Sequence, residues 1–246
     1  GTSHGVPMIG CGCDVCRSAD PRDTRSRPSI LIDLDGFNLL VATSPDLRAQ
    51  ALRHGLSRID AVFFTHHHAD HIFGFDDLRR FNHLSRQPLP AYGDSRTTAA
   101  LRQTFAYAYD PAAPKGGGVP DVPLWDVAGP FGMGGRDIVP IPVMHGTTRV
   151  NGLRIGGFAY LTDCNRIPES SMEQLRGLDV LVLDALRRRA HPTHFTLDEA
   201  LGVTKALAPA QTYFTHMCHD LGHEATCAAL PAGVTLAYDG LVVECR

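Results

Sequence analysis

The chain has 246 residues, a formal net charge of -3 and a composition that is 43% hydrophobic. That length suits one large α/β or all-β domain, the small negative charge argues against a broad basic surface for nucleic acid, and no apolar run approaches the roughly 18 residues that span a bilayer. Seven cysteines, odd in number and clustered, do not form a disulfide framework and point to a reducing, cytoplasmic setting. No secretory leader is expected, and the start at Gly1 without an initiator Met leaves room for an opening strand before it.

Ser29-Ile30-Leu31-Ile32-Asp33-Leu34 and Phe37-Asn38-Leu39-Leu40-Val41 flank Asp35-Gly36, a turn pair that predicts a β-hairpin. Ser44-Pro45-Asp46 then opens a helix that runs to about His54 and ends at Gly55. A short apolar strand, Ala61-Val62-Phe63-Phe64, leads into Thr65-His66-His67-His68-Ala69-Asp70-His71, and Asp76-Asp77-Leu78-Arg79-Arg80-Phe81 continues as a helix. After a strand at 89–92 and an amphipathic helix over 94–107, residues 111–123 make a long loop around Gly116-Gly117-Gly118, a length common in lids and binding segments. The second half repeats the rhythm, with strands at 137–143, 153–161 and 180–183 and a helix over 196–207. A strand at 212–214, a helix after Gly222 and a closing strand pair around Asp239-Gly240 follow. Strands followed by helices in both halves predict two sheets packed together with helices outside, in a single domain over 1–246.

His66, His68, Asp70 and His71 form the pattern His-x-His-x-Asp-His where a buried strand opens into a loop. Imidazole and carboxylate together suit zinc or another borderline divalent ion, and such groups packed side by side without an ion would repel or stay unsatisfied. Three more candidates stand at predicted strand ends: His145 after Ile141-Pro142-Val143-Met144, Asp163 after Phe158-Ala159-Tyr160-Leu161-Thr162, and His216 after Thr212-Tyr213-Phe214-Thr215. Each alone reads as a surface residue. Their shared position, where layered α/β folds gather ligands, marks them as a set.

This order of residues resembles the metallo-β-lactamase superfamily over nearly the whole chain. The resemblance implies a four-layer αββα sandwich with a dinuclear site at one edge. It assigns His66, His68 and His145 to one metal, Asp70, His71 and His216 to the other, and Asp163 to both, with Asp70 also counted as catalytic. Two divalent ions are implied, zinc first and manganese or iron as alternatives, with a metal-bound hydroxide as nucleophile. Members usually carry an Asp at the end of the strand before Ser44-Pro45-Asp46. Here that stretch reads Val41-Ala42-Thr43, which leaves Asp46, Thr43 or a water to orient the ligands.

Cys11-Gly12-Cys13-Asp14-Val15-Cys16 offers three thiols that a tight turn can aim at one point, one ligand short of a tetrahedral structural zinc site. His219 is the candidate fourth ligand and His223 the reserve; buried or redox cysteines are the alternative. The cyclic phosphodiesterases of the carbon-phosphorus lyase pathway show a similar Cys-x-Cys-x-x-Cys, with a His three residues beyond the last active-site His. His216 and His219 reproduce that spacing. His194-Phe195-Thr196 resembles the His-x-Thr element of the ribonuclease Z and phosphodiesterase branches, with Thr196 as a helix N-cap and His194 as the imidazole that meets the leaving alkoxide. Arg187-Arg188-Arg189 and His191 either neutralise substrate phosphate or form a solvated face. Gly1-Thr2-Ser3-His4-Gly5-Val6-Pro7 is similar to the Gly-rich turn bordering the site in these branches, with His4 toward the pocket.

The expected activity is metal-dependent hydrolysis of a small cyclic or nucleotide-like phosphodiester. A lactonase, a β-lactamase or a ribonuclease Z-like nuclease on the same ligands is the alternative. An oxygen-using protein of the pyrroloquinoline-quinone biosynthesis type fits less well, because His66-x-His68-x-Asp70-His71 is intact. The expected partner is a small molecule; nucleic acid is not favoured, because no substrate-gripping arm is identifiable. No membrane is involved, and a homodimer is allowed.

Overall fold

The structure, a computed structural model, describes residues 1–112 and 118–245; part of the loop expected at 111–123, residues 113–117, lies outside them. The chain divides into two compact units, Pro28–Arg136 and Gly1–Arg27 with Asp137–Arg246.

In the unit Pro28–Arg136, β1 (Ile30–Leu34) and β2 (Phe37–Val41) form the expected antiparallel hairpin, with Leu34 opposite Phe37. Asp35 and Gly36 take φ of 53° and 92°, as a two-residue turn matched to the strand twist requires. Next come α1 (Leu47–Arg53), β3 (Ala61–Phe63), α2 (Ala69–Ile72), α3 (Leu78–Ser85) and β4 (Ala91–Gly93), then α4 (Ser95–Thr104), α5 (Ala106–Tyr109) and β5 (Leu124–Asp126). The strands from β2 to β5 are parallel neighbours, and the helices are the crossovers that parallel pairing demands. Leu40, Val62 and Phe64 from the sheet side pack with Leu47, Ile72, Leu78 and Leu101 from the helices. Phe75, in the 3-10 turn Phe75–Asp77 ahead of α3, stacks on Phe105 with centroids 4.4 Å apart. Burying each such side chain contributes about 1.5–3 kcal/mol. The short strand β6 (Phe131–Met133) leads out through Gly134-Gly135.

The other unit contains β7 (Arg136–His145), β8 (Thr148–Ile155), β9 (Phe158–Leu161), α6 (Glu169–Gln174), β10 (Val180–Asp184), α7 (Leu197–Leu207), β11 (Gln211–Thr215), α8 (His223–Ala229) and β12 (Val234–Leu236). Its strands lie in the order β12-β11-β10-β9-β8-β7. Those from β9 to β12 are parallel, and β7 and β8 continue as an antiparallel meander. The single strand expected at 153–161 is therefore two. Gly156 turns the chain at φ 53°, and beside it Gly157 approaches Asp179 so closely that a Cβ would meet its Oδ2 at 2.2 Å. Apolar residues on both sides of this turn hide it from periodicity.

Helix α7 starts as expected at Thr196, whose Oγ1 accepts from Glu199 N (3.2 Å) while Glu199 Oε2 accepts from Thr196 N (2.8 Å), a reciprocal cap. Leu197, Ala200 and Leu207 on α7 pack with Leu161, Leu181, Leu183 and Phe214 of the sheet. Among the described residues the closing strand pair expected around Asp239-Gly240 does not form: β12 pairs with β11, residues 241–245 take no strand, and Gly240 turns at φ 88°. Asp239 instead accepts from Ser26 N at 2.9 Å, tying down the end of the N-terminal segment.

The parallel sense of β9, β10 and β11, with β7 returning to the same direction after two antiparallel turns, sets their C-terminal ends on one edge. His145 ends β7, Asp184 ends β10, and Asp163 and His216 follow just after β9 and β11. No helix among the described residues is long and apolar enough to cross a membrane.

Candidate metal centres

In the unit Pro28–Arg136, β3 delivers the His-rich turn. His68 is the N-cap of α2, and Asp70 and His71 lie in its single turn, so three imidazoles and a carboxylate crowd together. The rings of His66 and His68 have centroids 4.6 Å apart, those of His66 and His71 4.3 Å, and His71 Nε2 is 3.4 Å from Asp70 Oδ2. His66, Asp70 and His71 are buried while His68 faces solvent. Imidazole lone pairs crowded beside a carboxylate are what a divalent cation binds.

The missing strand-end Asp is replaced by a main-chain clamp. Ala42 stands at φ 65°, which swings Thr43 onto the metal-ligand turn. Thr43 N donates to His71 O (2.8 Å), its Oγ1 donates to Ile72 O (3.1 Å), and Gly74 N donates back to Thr43 O (2.9 Å). Thr43 is fully buried. Of the substitutes considered, Thr43 touches this turn, whereas Asp46 is the N-cap of α1.

In the other unit, the strand ends bring His145, Asp163, Asp184, His194 and His216 together. Ligand atoms of His145, Asp163 and His194 lie within 4.8 Å of one another, as do those of Asp184, His194 and His216. His145 Nδ1 is 2.9 Å from Thr193 O. A carbonyl only accepts, so Nδ1 carries the proton and Nε2 presents its lone pair as a ligand. Burial lowers the pKa of His145 and keeps that ring neutral. Asp163 Oδ1 is 3.3 Å from His216 Nε2, and Thr162 Oγ1 donates to Asp163 Oδ2 at 2.7 Å. Asp163 and His216 take φ of 53° and 59°, a conformation rare outside glycine that the surrounding structure must enforce.

Asp184 was not singled out from the sequence. It is fully buried, and its Oδ2 accepts from His194 Nδ1 (2.9 Å) and Cys164 N (3.1 Å). Burial raises its carboxyl well above the ordinary range. The signal was present: Val180-Leu181-Val182-Leu183 is an apolar run that closes on a carboxylate, the same grammar that marked Asp163. The ring of His194 stacks on that of His216 at 4.8 Å and has His191 at 5.1 Å. Arg187 donates to the carbonyls of Arg189 and Ala190, and Arg189 pairs with Asp220 at 3.2 Å, so these two guanidinium groups hold their own loop. Arg188 and His4 are exposed.

The thiol turn lies in the same unit. His219 Nδ1 is 3.2, 3.3 and 3.5 Å from the Sγ atoms of Cys11, Cys13 and Cys16. Edges of that length are what zinc with bonds of about 2.3 Å to sulfur and 2.0–2.1 Å to nitrogen spans as a tetrahedron. Cys16 N donates to Cys13 Sγ and Met8 N to Cys16 Sγ, both at 3.4 Å. The Cys16 amide brings the Cys13 thiol down to about 6, whereas burial pushes Cys16 up to about 11. His223 lies outside this cluster: its backbone N donates to Asp23 (2.8 Å) and its ring meets Tyr238. Cys164 is fully buried in the hydrophobic core of this unit.

The chain matches the beta-lactamase superfamily domain over residues 37–217. It is similar to a solved diphosphatase of the PhnP family, with 46% identity and a TM-score of 0.91 over 98% of this chain and 92% of that one. It also resembles zinc-bound PqqB from Methylobacterium extorquens, at 22% identity and a TM-score of 0.78 over 99% and 97% of the two chains, a likeness of fold. These matches identify the mixed sheet-and-helix architecture as the metallo-β-lactamase fold. An octanoyltransferase of Porphyromonas gingivalis is 35% identical over 248 residues, which are 98% of this chain and 49% of that protein. The chain thus spans about half the length of this curated relative.

Proposed function

We propose that this chain, which belongs to the beta-lactamase superfamily and resembles a PhnP-family diphosphatase, is a metal-dependent hydrolase and, more closely, a phosphodiesterase that cleaves a small cyclic or nucleotide-like phosphodiester. In this reading the chain is one hydrolase domain, and its metal ligands are those that the superfamily resemblance assigns, His66, His68, Asp70, His71, His145, Asp163 and His216, for two divalent ions, zinc before manganese or iron. Such ions, when bound, supply Lewis acidity toward a phosphoryl oxygen and an acidified water.

The observation that carries the diester reading is the Asp184–His194 pair (2.9 Å). With Nδ1 engaged by the buried carboxylate, proton exchange with a substrate falls to Nε2. An imidazole held this way donates a proton to the alkoxide that leaves a diester, and the carboxylate stabilises the charged ring before donation. Thr193 fixes the plane of His145 beside it, and the reciprocal cap at Thr196 anchors the segment that carries His194.

The purified protein is expected to hydrolyse bis(p-nitrophenyl) phosphate in a chelator-sensitive manner. His194→Ala should lower turnover by roughly 10²–10⁴-fold with metal content retained; an unchanged rate removes His194 from the reaction. A second reading, hydrolysis of a diphosphate, is favoured by the 46% identity to a diphosphatase. A phosphate leaving group with a second pKa of about 6 needs no proton at neutral pH. In that case His194→Ala would spare diphosphate cleavage while diester cleavage falls.

A further inference from the structure

The segment from His216 to His223 is gripped almost residue by residue by the first 25 residues of the chain. Thr2 N donates to Met217 O at 3.2 Å. Arg25 Nη1 donates to Cys218 O (3.1 Å), and its Nη2 donates to Leu221 O (2.6 Å) and Asp23 Oδ1 (2.8 Å). Asp23 Oδ1 also accepts from His223 N at 2.8 Å. Arg25 is 1% exposed and Asp23 7% exposed. Its main chain is fixed too, exchanging Arg25 N to Val6 O (2.7 Å) and Val6 N to Arg25 O (2.8 Å).

A buried arginine whose fork ends on two carbonyls of one loop is a costly way to hold a surface turn, because its charge is desolvated and must be offset by pairing with Asp23 at 2.8 Å. The loop it holds carries His216, at a left-handed φ of 59°, and His219, the nitrogen facing the three thiols. Cys218 O lies between these two histidines in sequence. We propose that Arg25 is a positioning residue that sets His216 and His219 together, so that the thiol site and the strand-edge site share one brace. The part concerning His216 rests on the proposed function; the part concerning His219 does not.

The test is Arg25→Lys, which keeps the charge but loses the two-pronged fork, with Arg22→Ala as control; the Arg22 side chain contacts Asp20 and faces solvent. In cobalt-substituted protein the thiolate charge-transfer absorbance reports the cysteine site alone, and bis(p-nitrophenyl) phosphate turnover against added metal reports the other. Arg25→Lys should release thiol-bound cobalt on the order of 10-fold faster and raise the metal concentration for half-maximal turnover on the order of 10-fold. Arg22→Ala should change neither. Should Arg25→Lys not fold, Asp23→Asn, which keeps the acceptor and removes the charge, is expected to move both readouts in the same direction. Wild-type cobalt release and metal dependence in a folded variant would overturn the proposal, as would a lowered melting temperature alone. Absence of diester turnover in the wild type overturns the proposed function instead, and leaves the cobalt readout to decide the brace.

Discussion

Replacing Asp184 with Asn should separate activity from stability, because the carboxylate is useful to His194 and costly to the fold. Its Oδ2 receives two donors, His194 Nδ1 at 2.9 Å and Cys164 N at 3.1 Å, while Oδ1 stands 3.8 Å from His216 Nδ1. An amide has the same shape, and two converging donors favour placing its oxygen where Oδ2 was. Both bonds then survive, but the bond to His194 falls from a charged one of about 1.5–3 kcal/mol to a neutral one of about 0.5–1.5 kcal/mol. A loss of about 1–2 kcal/mol in the transition state is roughly 5–30-fold in turnover. If the amide nitrogen took that place instead, His194 would adopt the other tautomer and the loss would approach ~10⁴-fold.

Stability should move the other way. Burial raises the folded-state pKa of Asp184, so the folded metal-free chain holds a proton that the unfolded chain releases above about pH 4. Stability from this group is therefore full below that pH and declines as pH rises toward the folded value. Asn removes the decline. Chelator-treated Asp184→Asn should melt at or above the wild type between about pH 5 and 8, while metal-restored enzyme turns over bis(p-nitrophenyl) phosphate more slowly. Turnover within twofold of wild type, or a metal-free variant that melts several degrees lower, would refute the reasoning.

Gly74→Ala should damage the ligand turn, since a Cβ there would lie 2.1 Å from Ser44 O and 2.9 Å from Leu47 Cβ. Relief by backbone shift costs about 1–3 kcal/mol, read as a lower denaturant midpoint and reduced metal content; wild-type values for both would contradict the clamp. In metal-free protein at neutral pH, alkylation mapped by mass spectrometry should mark Cys13 (about 6) before Cys16 (about 11), because the thiolate is the reactive form. Equal labelling would count against the amide-to-sulfur bonds. Cys13→Ser should lose about one metal per chain and melt lower, and unaltered stoichiometry would refute the structural zinc.

Much of this architecture was legible because the decisive signals were local. Asp35-Gly36 between two apolar runs, and Thr196 three residues before Glu199, each dictate backbone geometry within a few residues, and the hairpin and the start of α7 formed where these residues placed them. The turn at Gly156-Gly157 also had a local signal, a Gly-Gly pair, which the apolar run on either side of it masked; Gly157 in addition abuts Asp179, 22 residues away in sequence. Near the C-terminus, Asp239 accepts from Ser26 N, a partner that no window around residue 240 contains. At the candidate sites, His145, Asp163 and His216 were visible because each ends an apolar strand, and β9, β10 and β11 are parallel, which gathers such ends. Asp184 ends an apolar strand in the same way, so its position was marked although its pairing with His194 was not, and Thr43 stood among the groups able to replace the absent Asp. Arg25 left no such trace, because it acts on main-chain atoms of a segment far away in sequence.

Ala42 holds a left-handed backbone with no side chain to justify it. An alanine costs about 1–2 kcal/mol in that conformation, whereas Asp and Asn enter it more readily. The peptide framework at Ala42 thus already has the shape that an aspartate would take up readily, so Ala42→Asp would run downhill in backbone energy and set a carboxylate at the end of the strand that leads to the ligand turn.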